Sequence, residues 1–332
     1  MKNQIKYLSL LWLPFVLLFF CGAVFAQPVK PIWETLTPPR AATARHEAAF
    51  AEVGGKFYLL GGRGIKPVEE YDPAMNTWQQ LAPTPVEMHH FQALAFNGKI
   101  YVIGALTGGY PGETPLPNVY IFDPATNTWE KGAEIPATRR RGSAGIVADK
   151  GKIYIVCGIQ DGHRGDFVPW VDEWNPRTNQ WRQLPDAPRP RDHFHAALHA
   201  GKIYAAGGRT TSQRTNHVFD LTIPEIDVYD LAKQRWATLP TKLPTQRGGS
   251  TTFVHRNRLI VAGGESGASD LAHPEVEALN LKTLTWDSLS PLGRGRHGTQ
   301  AILFKGAVYM AAGCGKRGGN PELDSIERLW LQ

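Results

Sequence analysis

Six times along the chain a short apolar strand ends in a pair of small residues: FYLLGG (57–62), IYVIGA (100–105), IYIVCG (153–158), IYAAGG (203–208), LIVAGG (259–264) and VYMAAG (308–313). Five copies follow a glycine-led turn, at Gly55-Lys56, Gly98-Lys99, Gly151-Lys152, Gly201-Lys202 and Gly306-Ala307, and the other follows Asn257-Arg258. A recurrence every ~50 residues means one supersecondary unit per repeat, too small to bury its own apolar face, so the units must pack on one another.

A second strand follows each copy: VEEYD (68–72), VYIFD (119–123), VDEWN (171–175), IDVYD (226–230), VEALN (276–280) and IERLW (326–330). Five of these lead into a tryptophan, Trp78, Trp129, Trp181, Trp236 and Trp286. The intervening DPAMNT and DPATNT place Asp and Pro at the opening positions of a type I turn. Each unit is therefore expected to hold four antiparallel strands, A to D, with the small pair ending strand B and the tryptophan on strand D. Four strands per repeat of this length predict an all-β, six-bladed propeller. The sixth unit stops at Gln332 without a strand D, and PIWETL (31–36) resembles the missing strand. The N-terminal strand is thus expected to complete the last blade and to leave no open edge.

The chain begins with Lys2 and Lys6, an apolar run from Tyr7 to Phe20, and small residues Val24 and Ala26 before Gln27. That order predicts a signal peptide over residues 1–26 and a secreted or periplasmic propeller over 27–332. An uncleaved membrane anchor is the alternative. Losing Lys2 and Lys6 lowers the net charge from +6 to +4, a mild surplus. It points away from nucleic acid and leaves an anionic partner open. The chain is expected to be a monomer.

The double glycine, the following aromatic and the tryptophan at this period resemble the kelch repeat. Ala105, Cys157 and Ala312 depart from the glycine pair, and Leu279 and Leu329 from the aromatic position. The resemblance implies a β-propeller and says little about activity, because kelch propellers include protein-binding modules, glycan binders and some enzymes. Size and export signal are similar to the bacterial sialic acid mutarotases, which implies a carbohydrate isomerase as the alternative to a binding module. No Tyr–His set matches that of the kelch-type galactose oxidases. Cys157 and Cys314 fall in opposite blades, beyond the ~7 Å reach of a disulfide, and both are expected to be free.

The inter-blade turns and the long B–C loops share one face, which makes that channel mouth the expected site. Aligned at the start of strand A, one column reads Arg45, Met88, Arg140, Arg191, Arg247 and Arg296, with one extra residue allowed in the third unit. The next reads His46, His89, Arg141, Asp192, Gly248 and His297. Arginine suits bidentate recognition of carboxylate, sulfate or phosphate, so the column predicts a basic ring for an acidic glycan, peptide or protein. Arg209 and Arg214, with His163 and Arg164, extend that charge onto the loops, and Tyr110 and Trp170 offer stacking surfaces. The recurring acids Glu69, Asp172, Asp227, Glu277 and Glu327 are expected to be structural partners of neighbouring blades.

RDHFHAALHAGKIYAAGGRT (191–210) looks at first like a metal site. Strand alternation puts His193, His195 and His199 on one face, but His193 and His199 then stand ~20 Å apart. No metal and no cofactor are expected there. Arg191, Asp192 and His193 remain at the rim, with His195 deeper and His90 in the same column as His193. Asp166, Glu265, His163 and His193 are the candidates for any acid–base chemistry.

Overall fold

Strand A of the first blade is Ala48–Val53, strand B Lys56–Gly61, strand C Pro67–Asp72 and strand D Thr77–Pro83, hydrogen-bonded in that order as an antiparallel sheet. Five further four-stranded sheets repeat the pattern, giving an all-β six-bladed propeller. This computed structural model describes Met1 and residues 31–331. The chain divides into two units, Met1–Lys30 and Pro31–Gln332, and the second is the propeller. The signal segment expected over residues 1–26 lies, Met1 apart, outside the described residues. Among the described residues no helix is long and apolar enough to cross a membrane.

The fourth strand of the last blade is Glu34–Leu36, which pairs antiparallel with Ile326–Trp330 in the register Glu34 to Arg328 and Leu36 to Ile326. Trp33 enters the apolar cluster of Leu292, Val308 and Leu329, and its indole N–H donates to Ser290 O at 3.0 Å. The apolar faces of adjacent sheets interlock as inter-blade clusters, such as Phe57, Tyr71 and Trp78 against Tyr309 and Ile302.

The column of arginines holds these blades together. Arg45, Arg191, Arg247 and Arg296 are fully buried. Arg247 shows the pattern: Nε donates to Gly263 O at 2.6 Å, Nη2 to Val261 O at 3.0 Å, and Nη1 to Glu277 at 2.6 Å. Arg191 pairs likewise with Asp227, and Arg296 with Glu327. Arg45 approaches Glu69 at 3.9 Å. In the third blade Arg141 takes this role, with Cys157 O, Ile155 O and Asp172. No extra residue is present, therefore, and Arg140 lies outside, bonded to Glu134. The acids on strand C are thus the structural partners expected.

The second small residue of each pair makes room for this arginine. A Cβ on Gly264 would stand 3.0 Å from the Arg247 side chain and 2.9 Å from Gly248 O. Blade two lacks the arginine: Met88 replaces it, Tyr120 replaces the acid, and Ala105 replaces the glycine. Met88, Ala105 and Tyr120 share one apolar cluster. The three positions change together because an unpaired buried carboxylate would be costly.

The channel is blocked half-way. Gln92 Oε1 accepts from Ile146 N at 2.8 Å and Ala196 N at 2.9 Å, and its Nε2 donates to Ala196 O at 3.0 Å. Gln300 bonds both backbone groups of Ala93. His195 Nδ1 meets Thr251 Oγ1 at 3.2 Å. These side chains bridge the unpaired inner edges of the A strands. His199 lies towards the opposite end, bonded to Asn257. Cys157 and Cys314 are buried and free.

Candidate functional site

At the loop end of the channel each blade contributes one left-handed residue just before strand A: Glu47, His90, Ser143, His193, Gly249 and Gly298, with φ between 51° and 64°. Hydrogen bonds run around this ring. His90 N donates to Glu47 O, Ser143 N to His90 O, Gly249 N to His193 O, Gly298 N to Gly249 O and Ala48 N to Gly298 O. His193 N donates to Ser143 Oγ at 3.2 Å. The left-handed backbone costs on the order of 1 kcal/mol for a non-glycine residue. Gly298 admits no side chain, since a Cβ would stand 2.8 Å from Glu47 N.

Above the ring lies a pocket of about 230 Å³, to whose lining all six B–C loops contribute: Arg63, Tyr110, His163, Phe219, Glu265 and Gly318. His46, Glu47, His90 and His297 rise into it from the blade tops. The Tyr110 ring lies 5.1 Å from that of His163. Phe219 is flanked by the guanidinium groups of Arg209 at 5.1 Å and Arg317 at 5.4 Å.

Two clusters of titratable groups divide the pocket. On one side Arg209 pairs with Glu265 at 2.7 Å, and His297 Nε2 donates to the carbonyls of Lys316 and Gly318 at 2.9 Å each. His297 lies 3.4 Å from Glu265 and 3.6 Å from Glu47. Burial opposes charge on His297, but Glu265, Cys314 and Glu47 outweigh it and raise its pKa to about 9. Burial likewise opposes charge on Glu265, yet His297, Arg209 and the Gly318 N–H bring it down to about 2.

On the other side stand His90, His163 and His193, whose ring centroids are 5.0–5.1 Å apart. One ring nitrogen from each lies within 4.8 Å of the others. His163 Nδ1 bonds Glu113 at 2.9 Å, His193 Nδ1 bonds Asp192, and His90 Nδ1 meets His89 Nδ1 at 2.7 Å. Burial, reinforced by the neighbouring imidazoles, pushes His90 well below the usual histidine range. Burial and Arg209 lower His193 despite Asp192. Burial and Arg63 lower His89 to about 4. The three rings form a grouping that could hold a metal ion, one that the expectation of no metal at RDHFHAALHA did not take into account. His193 and His199 are far apart, but His193 meets His90 and His163 from other blades.

The basic ring is corrected. Arg45, Arg141, Arg191, Arg247 and Arg296 are buried between strands, bonded to backbone carbonyls and set beside strand-C acids. Arg209 is buried against Glu265 and Thr211. Arg214 pairs with Asp161 and Asp166, and Arg164 sits 3.8 Å from Asp161, so the loop cations are matched by acids. Trp170 packs under Arg139 at 4.3 Å rather than facing the pocket. His46 does reach the pocket, with Nδ1 on Glu322 at 2.7 Å. Asp166 is exposed and bonded to Arg214, outside the pocket lining. The sequence reading missed Glu47, Arg63, Glu113 and Phe219. Of these only Glu47 had a signal, since it shares the column of His90 and His193.

The charge on His297 has a measurable consequence. Its folded pKa of about 9 exceeds the ordinary 6.5. The stabilisation is therefore fully present below pH ~6.5 and is lost as pH rises through about 9, a change on the order of 2–3 kcal/mol. The groups facing it are Glu265, Cys314, Glu47 and His46. Denaturant unfolding at pH 6.5 and 9.5 is expected to show that loss, and His297→Gln to remove most of it. An unchanged pH dependence in the variant refutes the assignment.

A family model described as the Attractin/LZTR1 beta-propeller matches residues 27–272. The chain belongs to this family of kelch-repeat propellers. Kelch-like protein terF of Aspergillus terreus is 29% identical over 313 residues, covering 86% of this chain and 65% of that protein. Kelch repeat and BTB domain-containing protein 13 of Homo sapiens is 29% identical over 238 residues, covering 69% of this chain and 47% of that protein. The chain thus spans less than two-thirds of the length of these kelch relatives. A solved structure described as "Structure of YjhT" superposes with a TM-score of 0.73 over 87% of this chain and 95% of that one, at 15% identity. At that identity the likeness shows the kelch propeller fold alone.

Proposed function

We propose that this kelch propeller is an exported binding module that takes a small hydroxyl-bearing molecule, of sugar size and chemistry, into the loop-end pocket. One observation carries the reading: the pocket mixes donors and acceptors with aromatic walls. Glu47 and Glu265 supply carboxylate oxygens, Arg63, His46 and His297 supply N–H groups, and Tyr110 and Phe219 supply flat apolar surface. Mixed polar groups set among apolar surface fit a polyhydroxylated ring. A polyanion fits less well, because the buried Arg209 is paired with Glu265 and the loop cations Arg214 and Arg317 with Asp161, Asp166 and Asp270. An acidic sugar is the charged member of the class that suits, with its carboxylate on Arg63, whose side chain is 27% exposed. Kelch propellers generally bind protein partners, and a sugar on a glycoprotein joins the two. Export rests on residues 1–26.

Calorimetric titration with neutral and acidic monosaccharides tests this. At least one is expected to bind, and Phe219→Ala to weaken it tenfold or more. If no monosaccharide of either kind binds, the reading is lost. A second reading, a sugar isomerase, is favoured by Glu47 and the His297 imidazole standing 3.6 Å apart in the pocket, a carboxylate beside a proton donor. Anomeric-proton exchange by NMR decides it: an unchanged equilibration rate rules it out.

A further inference from the structure

The hydrogen bonds around the histidine trio fix the tautomer of each ring. His89 Nε2 lies 3.0 Å from Gly108 O. A carbonyl only accepts, so that nitrogen carries the proton and His89 Nδ1 is a lone pair. His90 Nδ1–H must then donate to His89, which leaves His90 Nε2 as a lone pair. Glu113 and Asp192 are acceptors in their ionised form, so His163 and His193 also carry their protons on Nδ1. Arg63 also bonds Glu113, and Thr211 Oγ1 donates to Asp192 at 2.6 Å, so both carboxyls are surrounded by donors. Three Nε2 lone pairs therefore converge, and His193 Nε2, buried, has no hydrogen-bond partner. Three acceptors facing one another without a proton between them repel, and a cation placed among them removes that repulsion.

We propose that His90, His163 and His193 form a binding site for a divalent late first-row transition metal of the zinc class. The arrangement has the parts such a site needs. Imidazole is the ligand for these ions. Two of the three rings are oriented by a carboxylate on the opposite nitrogen, Glu113 on His163 and Asp192 on His193, the outer-shell contact that fixes tautomer and raises ligand basicity. His89 does the same for His90. Drawing each ring in by less than ~1 Å brings three nitrogens to the 2.0–2.1 Å expected for zinc. The carboxylate of Glu47 stands 3.5 Å from His90 Nε2 and offsets part of the ion's charge. His90 and His163 also line the 230 Å³ pocket, so a metal held by three rings keeps a coordination position towards it for water or a ligand oxygen. The site does not depend on which molecule the pocket binds, and the metal can be tested without one.

The test is titration of the chelator-treated protein with Zn²⁺ by calorimetry, and with Co²⁺ by visible absorption. One Zn²⁺ per chain is expected, at micromolar affinity or tighter, with Co²⁺ giving the d–d bands of a low-coordinate nitrogen site. His163→Ala, on a short loop helix at Gly162–Arg164, is expected to weaken Zn²⁺ at least 100-fold while circular dichroism stays unchanged. Asp192→Asn is expected to weaken it ~10- to 100-fold. His217→Ala, on an exposed part of the same face, is expected to leave binding intact. Wild-type affinity weaker than millimolar, or a folded His163→Ala that binds Zn²⁺ as tightly as wild type, overturns the proposal.

Discussion

Arg247→Met is expected to destabilise the propeller by about 3–5 kcal/mol, and adding Glu277→Tyr to restore more than half of that. The single change leaves the Glu277 carboxylate buried beside Thr245 with no cation, and removes donors from Gly263 O and Val261 O. The double change copies what blade two already does with Met88 and Tyr120, which pack in one apolar cluster. Arg247 is outside the pocket lining, so ligand and metal binding should not confuse the result. Urea midpoints of the two single variants and the double close a thermodynamic cycle. A coupling energy of at least ~2 kcal/mol is expected. Strictly additive losses would show that the pair is not what holds strands A and C together.

Gln92→Leu is expected to be comparably severe. Leucine nearly matches the volume but leaves Ile146 N, Ala196 N and Ala196 O without partners. At ~1–3 kcal/mol for each buried unsatisfied group, water admission to the channel being partial relief, the loss is about 4 kcal/mol. Gln300→Leu releases only the N–H and C=O of Ala93 and should cost about half as much. Hydrogen exchange gives the more specific check: the amides of Ile146 and Ala196 should lose protection in Gln92→Leu, and that of Ala93 in Gln300→Leu. Equal effects on all three amides in both variants would mean that the plug acts only through global stability.

The blades were legible because each repeat shows its strands, turns and tryptophan in the same order, and because Trp33 completes the set from the far end of the chain. The polarity of the arginine column was not legible from position alone. A residue at the start of strand A can face the channel or turn between strands, and strand spacing does not choose. The choice was nevertheless written into the repeat: the arginine, the strand-C acid and the second glycine are lost together in blade two, as paired groups would be. Two of the histidine trio had a frame too, since His90 and His193 occupy one column. His163 and Glu113 did not. They sit on B–C loops whose lengths differ from blade to blade, so no register relates them, and only the fold brings the 106–118 and 159–170 loops together.

The blocked channel has a consequence for traffic through the molecule. With Gln92, Gln300, Thr251 and His195 bonded across the axis, the loop-end pocket is a blind well, and the wider cavity of about 410 Å³ at the other end is a separate compartment. A molecule can leave the well only by the door it came in through. If that molecule is one unit of a longer chain, the remainder must trail outwards past Tyr110 and Phe219, so the well selects chain ends over chain interiors. Exchange between the well and solvent then runs past the loops that carry Tyr110 and Phe219, and not along the propeller axis.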